Sequence, residues 1–367
     1  MSTAQAPSWT QLGTYRTDRS YEWNYEHGPQ WQGALPPVPA TPRKDFFGLE
    51  VASRIGISAG LLLNAQWIGF YARCGFDILT YKTVRSRRRE CQPMPNWLFI
   101  DPADVAHVGE VGRELHARAQ PAGSDPGEWT STVSYGMPSR DPAVWMADVA
   151  RARTLLGDGQ ALIVSVVASP DGTWSRDDIV RDFGALAAMA REAGAQLVEA
   201  NLSCPNVRSA EGDLFLDAEM SGRIAAALRA GAGTLPVLLK IGHVPDDERL
   251  RSLLRAVAGQ ASGLVIVNGV SRPVIGADGA AAFGDGRRQA GILGRGIHAI
   301  GVDDVARSLA LIRRERLDLQ VAGVGGIASA DDAAAYFDAG ACAVLLGSAP
   351  MYDPSLAARM KALHPEW

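Results

Sequence analysis

The stretch ALIVSVVA, residues 161–168, is an apolar run of strand length that lacks the polar alternation of a strand facing water. Such continuous apolar strands are typical of a parallel sheet that is buried on both faces. The next stretch, SRDDIVRDFGALAAMAREAG (residues 175–194), has a helical pattern in which Ser175 can cap the first turn and Gly194 can end the last. A second strand-like run, QLVEAN (residues 196–201), follows. Together these stretches predict a strand–helix–strand unit.

The same alternation continues through most of the chain after residue 45. Eight apolar runs of strand length are separated by segments with helical patterns. Eight strand–helix units in this length predict an α/β fold of the (β/α)8 type, a closed TIM barrel, rather than an open doubly wound sheet. The predicted strands cover residues 54–59, 77–83, 161–168, 196–201, 236–240, 263–268, 319–324 and 343–347.

Two segments do not follow this repeat. Residues 1–45 are rich in Trp, Tyr and Pro, and we expect an N-terminal arm that packs on the outside of the barrel or contacts a partner or second subunit. Residues 87–128 are irregular and rich in Arg, Pro and Gly, which predicts an excursion over the barrel mouth between the second and third units. The predicted organisation is an arm, residues 1–45, and a barrel domain, residues 46–367, that carries the excursion.

Composition and charge exclude several classes of function. The 36 basic and 40 acidic residues are interspersed and give a formal net charge of −4, so the chain has no electrostatic footprint for a nucleic-acid partner. The first residues lack the order of a signal peptide and no apolar run reaches the length of a membrane span, which predicts a cytoplasmic protein without membrane contact. The four cysteines are far apart and form no Cys-x-x-Cys motif, which argues against a disulfide framework, a zinc site or an iron–sulfur cluster.

Glycine-containing loops follow the last two predicted strands, where (β/α)8 barrels commonly hold phosphate. AGVGGIAS (residues 322–329) follows strand seven, and LLGSAP (residues 345–350) follows strand eight. Glycine lets backbone N–H groups approach a phosphate closely, and a helix that begins near Ser329 would favour an anion. Tight loops need glycine in any case, but two such loops at the two expected places predict a ligand that carries phosphate.

Polar side chains close four of the predicted strands. These are Lys82, Asn201, Lys240 and Asn268, at the ends of strands two, four, five and six. A lysine inside a parallel barrel costs free energy unless it meets an anion or acceptors, so two lysines at one rim predict a bound ring that is anionic or rich in carbonyl groups. Cys204 lies just beyond strand four, in a loop with a proline and two amides, where a partly exposed thiolate could accept a proton.

The stretch NLSCPN, Asn201 to Asn206, resembles the signature Asn-x-Ser-Cys-Pro-Asn of the dihydroorotate dehydrogenase family. The resemblance covers roughly residue 46 to the C-terminus apart from the excursion, with the lysines and the glycine loops in register. It implies an enzyme on a (β/α)8 barrel that uses flavin mononucleotide (FMN) to oxidise dihydroorotate to orotate. A cysteine in this loop is typical of the soluble class of the family, whereas the membrane-associated, quinone-using class has serine there.

The resemblance implies a role for each matched residue. Cys204 is similar to the base that removes a proton from C5 of the dihydropyrimidine while hydride leaves C6 for flavin N5. Lys240 is similar to the lysine that contacts the N1 and O2 edge of the flavin, and Lys82 to the lysine that contacts both flavin and substrate. The other matched positions are implied in flavin binding (Ala59, Gly60, Thr83, Asn201, Asn268, Gly294, Gly325, Gly326, Gly347 and Ser348) and in substrate binding (Asn201, Asn206, Asn268 and the backbone of Tyr135, Gly136 and Met137).

Several positions depart from the family pattern. Val133 stands where the family has a substrate-binding asparagine, Gly269 where it has a serine, and Asn96 where it has an arginine. Leaving a buried polar group unpaired costs about 1 to 3 kcal/mol, so substrate specificity is expected to change more than the chemistry. The basic run RSRRRE (residues 85–90) lies just past strand two and could attract an acid, but we interpret it as a solvated face. His243 is a further candidate at the rim, although a lone histidine is more often structural than catalytic.

Three alternatives stay open at this point. A related flavin enzyme could act on another cyclic amide or enone, such as a dihydrouracil-like compound. A tRNA-dihydrouridine synthase would share the barrel and FMN but needs a basic face for RNA. A phosphate-binding barrel without flavin would explain the glycine loops but not Lys82, Lys240 and Cys204 together.

The electron acceptor is open between fumarate, NAD through a partner subunit, quinone and oxygen. A homodimer is expected from the soluble relatives alone.

Overall fold

A closed parallel barrel forms the centre of the molecule. The computed structural model describes residues 13–203 and 214–367. Among these residues the strands are β1 (Lys44–Phe46), β2 (Leu49–Val51), β3 (Ile55–Ile57), β4 (Ile78–Val84), β5 (Trp97–Ile100), β6 (Leu115–Arg118), β7 (Thr130–Val133), β8 (Ala161–Val166), β9 (Leu197–Asn201), β10 (Val237–Ile241), β11 (Gly263–Ile266), β12 (Val270–Ile275), β13 (Gln289–Gly294), β14 (Gln320–Gly323) and β15 (Ala343–Leu346). The helices are α1 (Tyr21–His27), α2 (Ala65–Arg73), α3 (Pro102–Val105), α4 (Pro142–Thr154), α5 (Arg176–Glu192), α6 (Ala218–Ala232), α7 (Asp247–Val257), α8 (His298–Glu315), α9 (Ala330–Ala339), α10 (Ala349–Tyr352) and α11 (Leu356–Leu363).

The barrel strands follow the order β3, β4, β8, β9, β10, β11, β14 and β15, and the ring closes where β15 pairs with β3. All of these neighbouring pairs are parallel. Each of the eight predicted strands corresponds to one strand of the ring, so the predicted (β/α)8 fold is confirmed. The strand side chains are almost all buried, because side chains fill the inside of such a barrel and helices cover its outside.

Helix α5 begins and ends where the sequence predicts. The Ser175 hydroxyl accepts a hydrogen bond from the Asp178 N–H at 3.2 Å, and the Asp178 carboxylate accepts one from the Ser175 N–H at 2.8 Å. This reciprocal cap satisfies two N–H groups at the start of the helix. Gly194 follows the helix at a φ of 102°, a left-handed conformation that glycine adopts without strain.

A second closed sheet of five strands adjoins the barrel. It joins β5, β6 and β7 to the antiparallel hairpin of β12 and β13, in the order β12, β13, β7, β5 and β6. The predicted excursion, residues 87–128, is therefore not irregular, because it contains β5, α3 and β6. The sequence hides these strands because β5 and β6 are only four residues long and the sheet is completed by β12 and β13, which lie far along the chain.

The described part of the N-terminal arm is fixed to the barrel by hydrogen bonds. The Thr14 N–H donates to Met351 O at 2.8 Å, and the Thr14 hydroxyl lies 2.6 Å from the Tyr71 hydroxyl. Tyr15 and Tyr21 are buried, and both reach the cavity described below. The expectation of an arm confined to the outside of the barrel is therefore wrong for this stretch.

Three expectations from the sequence stay predictions: the domain boundary at residue 45, the cytoplasmic location and the homodimer. In the described ranges, no helix combines the length and the apolar character needed to cross a membrane.

A buried ion pair attaches the C-terminal helix to the barrel. Asp77 precedes β4, at the end of the barrel opposite the strand carboxyl ends, and Lys361 lies in α11. Lys361 Nζ is 2.5 Å from Asp77 Oδ2, and the two side chains are only 2% and 4% exposed. The Ser53 hydroxyl donates to the same carboxylate oxygen at 2.6 Å. Removing either charge would leave the other buried and unpaired.

We expect Lys361→Met to lower the free energy of unfolding by about 3 to 5 kcal/mol, because it leaves the Asp77 carboxylate unpaired in the core. The double variant Lys361→Met/Asp77→Asn should recover part of this loss. Arg255→Ala removes an exposed partner of Glu315 at 2.6 Å and, as the control, should cost no more than about 1 kcal/mol. Urea unfolding measures all three variants, and a loss below about 1 kcal/mol in Lys361→Met would contradict the prediction.

Candidate active site

A large cavity of about 220 Å³ opens at the carboxyl ends of the barrel strands. Most residues that the sequence predicts for a site line it: Ala59, Gly60, Lys82, Thr83, Tyr135, Met137, Asn201, Lys240, Asn268, Gly294, Gly325, Gly326, Gly347 and Ser348. Gly136 lies in the same turn as two of them but is not among the lining residues. Cys204 and Asn206 lie outside the described residues. The cavity occupies the end of the barrel where sites of this fold are found.

Lys240 projects into the floor of the cavity from β10. Its side chain is 1% exposed, and Nζ donates to the Ser58 hydroxyl at 2.5 Å and to Ala59 O at 3.3 Å. Burial lowers the pKa of Lys240, while the nearby Glu199 carboxylate acts in the opposite direction. The ammonium is therefore held in place by neutral acceptors, and burial works against its charge.

Hydrogen bonds fix the amide side chains beside Lys240. The Asn268 amide donates to Asn201 Oδ1 at 3.1 Å, and the Asn201 amide donates to the Thr83 hydroxyl at 3.5 Å. The Ser203 N–H donates to Asn201 Oδ1 at 3.2 Å, and Ser203 O accepts from the Asn268 amide. Both backbone groups of Ser203, the residue before Cys204, are therefore held by the two amides.

Two tyrosines of the arm line the cavity and are missing from the sequence prediction. Lys82 Nζ lies 5.0 Å from the centre of the Tyr21 ring, a cation–π contact. Tyr15 meets the Tyr135 ring edge to face, at a centroid distance of 6.3 Å. The sequence reveals the aromatic composition of the arm, but no periodic pattern connects it to the strand ends. The arm therefore supplies part of the cavity wall beside Lys82.

Open space lies over the backbone of Gly347. A Cβ atom at this position would meet no atom within 4 Å. At Gly326, in contrast, a Cβ atom would lie 2.7 Å from Gly294 O, and φ is +62°. The Ser329 hydroxyl caps α9 by accepting from the Asp332 N–H at 3.1 Å. The positive end of this helix therefore lies just after the loop that follows β14. The loop after β15 thus leaves room for a ligand over Gly347, and a glycine loop with open space at this rim fits a phosphate group.

Arg85 holds the turn that carries Tyr135 and Met137. Its guanidinium donates to Met137 O at 3.0 Å and to Ala168 O at 2.5 Å, and the residue is completely buried. The interpretation of the basic run as a solvated face is therefore wrong for Arg85. Gly136 and Met137 both have positive φ, 74° and 50°, so the turn has a left-handed backbone that the Arg85 contact stabilises.

One position that departs from the family pattern, Val133, contributes to an apolar part of the cavity wall. Val133 lines the cavity and lies opposite Trp97, another lining residue, in the pairing of β5 with β7. Asn96 is 5% exposed, and its amide donates to Gln92 O at 3.0 Å and to Ser134 O at 2.8 Å. Asn96 is therefore engaged in holding the backbone beside β5 and β7 rather than a ligand.

His243 is not a residue of this cavity. Its Nδ1 atom lies 2.8 Å from Asp304 Oδ2, and Arg307 donates to the other oxygen of this buried carboxylate at 2.9 Å. Of the two interpretations from the sequence, a rim candidate or a structural histidine, the contact favours the structural one, because the ring joins the loop after β10 to α8. Within residues 13–203 and 214–367, no group of three His, Cys, Asp or Glu side chains is arranged to hold a metal ion.

Comparison with known proteins gives one consistent family. Residues 134–362 match the family model described as dihydroorotate dehydrogenase. A dihydroorotate dehydrogenase of Dictyostelium discoideum is 31% identical over 356 residues, which cover 94% of this chain and 95% of the relative. A dihydroorotate dehydrogenase (quinone) of Parvibaculum lavamentivorans is 28% identical over 329 residues, 89% of this chain and 82% of the relative. The catalytic subunit of a dihydroorotate dehydrogenase B (NAD(+)) of Solidesulfovibrio magneticus is 30% identical over 187 residues, 50% of this chain and 58% of the relative.

Proposed function

Because this chain belongs to the dihydroorotate dehydrogenase family, we propose that it oxidises dihydroorotate to orotate with bound FMN. The observation that carries the proposal is the cavity at the barrel rim, where two lysines and two asparagines lie together with the glycine loops. The loops fit a phosphate group, and the lysines and amides fit a flat ring with carbonyl and N–H groups.

The proposed FMN site uses residues from opposite sides of the cavity. The phosphate would be held by Gly294, Gly325, Gly326, Gly347 and Ser348, and the ring by Ala59, Gly60, Thr83 and the two lysines. When bound, the flavin accepts the hydride equivalent that the substrate loses. Lys240, held by Ser58 and Ala59, supplies a fixed donor and a positive charge at the floor of the site.

The amides are proposed to orient the substrate ring. The hydrogen bond from Asn268 to Asn201 fixes both side chains, so little rotamer freedom remains to be lost on binding. Asn206 is proposed as a third amide of this set. The backbone of Tyr135, Gly136 and Met137 is proposed to hold the substrate carboxylate, in a turn that contacts the Arg85 guanidinium.

Cys204 is proposed as the base that removes the C5 proton of the substrate. The backbone of the preceding residue, Ser203, is bound on both sides by Asn201 and Asn268, which favours a fixed starting point for the loop. A base on one face of the substrate ring and a hydride acceptor on the other satisfy the geometry that removal of adjacent hydrogens needs.

Anaerobic mixing of the FMN-loaded protein with L-dihydroorotate should bleach the visible flavin band. Cys204→Ser should slow this bleaching at least about 100-fold at pH 7, because a serine hydroxyl is a far weaker base than a thiolate. Cys91→Ser is the matched control, since burial raises the pKa of Cys91 to about 11, so its thiol stays protonated, and it should bleach at the normal rate. Equal rates in Cys204→Ser and the unmodified protein would rule out Cys204 as the base.

Gly347→Ala should weaken FMN binding at least about tenfold without destabilising the ligand-free fold by more than about 0.5 kcal/mol. The added methyl group meets no protein atom but would occupy the space proposed for the phosphate. Gly157→Ala, where the nearest atom to the new Cβ is Gln160 Oε1 at 3.6 Å, is the control and should bind FMN normally. Titration of flavin fluorescence measures the affinity, and unchanged affinity in Gly347→Ala would place the phosphate elsewhere.

A second candidate function is favoured by the apolar wall of Val133 and Trp97 and by the engaged amide of Asn96. These residues leave fewer polar partners for a carboxylate, which favours a cyclic amide without one, such as dihydrouracil. Parallel anaerobic reductions with dihydroorotate and dihydrouracil separate the two candidates. Val133→Asn should lower the KM for dihydroorotate if that compound is the substrate, and bleaching by dihydrouracil alone would favour the second function.

A further inference from the structure

Glu199 is a buried carboxylate that the proposed reaction does not use. It lies in β9 with no exposed surface, and neither carboxylate oxygen has a well-formed hydrogen bond in the described part of the chain. Glu199 precedes Asn201 by two residues, so its side chain points to the same face of the strand, one layer below the cavity floor. An ionised carboxylate at such a place is costly unless a positive charge lies near it.

Lys240 provides that charge. The two buried side chains come from neighbouring strands, and the charge of each opposes the effect of burial on the other. Burial raises the pKa of Glu199 and lowers that of Lys240, so each group alone would tend to be neutral. The partners on the outer neighbouring strands are uncharged. Ser165 lies opposite Glu199 in the pairing of β8 with β9, and its hydroxyl also acts to lower the pKa of Glu199. Val265 lies opposite Lys240 in the pairing of β10 with β11.

The fold of the barrel gives no reason to prefer a charged pair over apolar residues at these two positions. The strand position opposite Glu199 in β10 is Leu238, and apolar side chains fill most of the surrounding positions of the same strands. Replacing a buried ion pair by well-packed apolar residues is often neutral or stabilising. A carboxylate retained directly below a cavity-lining lysine is therefore better explained by the charge of that lysine.

We propose that Glu199 is a positioning residue, which as a carboxylate keeps Lys240 protonated at the cavity floor and so determines how strongly the site favours reduced flavin. The inference rests on the cofactor part of the proposed function and not on the identity of the substrate. Without Glu199, the partners left to Lys240 among the described residues are the Ser58 hydroxyl and Ala59 O. Neutral acceptors stabilise a buried ammonium less than an anion does, so loss of the carboxylate would lower the pKa of Lys240 further and favour its neutral form.

The midpoint potential of the bound FMN tests this inference through the direction of its change. In Glu199→Gln, loss of the Lys240 charge should lower the ratio of reduced to oxidised flavin at least tenfold at a fixed dye potential, a shift of about 30 mV for a two-electron couple. Thr80→Val, at another completely buried barrel position, is the control and should leave the potential unchanged. A higher or unchanged potential in Glu199→Gln would overturn the proposal, because Lys240 would then keep its charge without Glu199.

Combined variants test whether Glu199 affects the flavin potential through Lys240. Lys240→Met should itself lower the potential, and adding Glu199→Gln to it should change the ratio by less than about twofold, because the two residues act as one unit. A further tenfold change in the double variant would mean that Glu199 acts independently of Lys240, which contradicts the proposal. Glu199→Asp retains a carboxylate, so its midpoint potential should lie between those of Glu199→Gln and the unmodified protein.

Failure of the proposed function would be recognised separately. A protein that binds FMN but is not reduced by dihydroorotate still reports its potential in the dye equilibrium. If the protein binds no FMN, urea unfolding of the flavin-free variants tests the interaction between Glu199 and Lys240. The double variant Glu199→Gln/Lys240→Met should then unfold at a higher urea concentration than Lys240→Met alone, whereas a lower concentration would contradict an interaction between the two charges.

Discussion

The common direction of the eight barrel strands is the constraint on which the site depends. Parallel pairing brings every strand's carboxyl end to one rim, so Lys82, Asn201 and Lys240 line one cavity although they lie far apart in the sequence. The hydrogen-bonded register also fixes their relative height, since Lys240 pairs directly with Asn201. A change of register by one residue would turn these side chains away from the cavity.

The same constraint explains how much of the molecule could be predicted from the sequence. A strand buried on both faces must be largely apolar, and all eight barrel strands carry this signal. Once the strands are known, a polar residue at a strand end must lie at the rim, which is why Lys82, Lys240 and Asn268 could be assigned without knowledge of their contacts. The glycine loops at the same rim follow in the same way, because their glycines come shortly after β14 and β15.

The features that could not be predicted depend on contacts between distant segments. The strands β5 and β6 are too short to show a pattern, and their sheet is completed by β12 and β13. Arg85 stands in a basic run that suggests a solvated face, but its charge is satisfied by the carbonyl groups of Met137 and Ala168. Tyr15 and Tyr21 reach the site only because the arm folds over the barrel rim. A local sequence pattern does not indicate such distant partners, whereas it does indicate that a strand is buried.

The two buried lysines of the barrel show why one charge belongs to the fold and the other to the site. Lys361 meets Asp77 directly, and Ser53 donates to the same carboxylate oxygen, so the partner's charge is compensated at the end of the barrel away from the cavity. Lys240 has two neutral acceptors, and within the described part of the chain neither oxygen of the nearby Glu199 carboxylate has a well-formed hydrogen bond. A pair left incompletely satisfied costs stability, and proteins tolerate such costs mainly where function requires them. The position of Lys240 at the cavity floor therefore identifies the incompletely satisfied pair as part of the chemistry of the site.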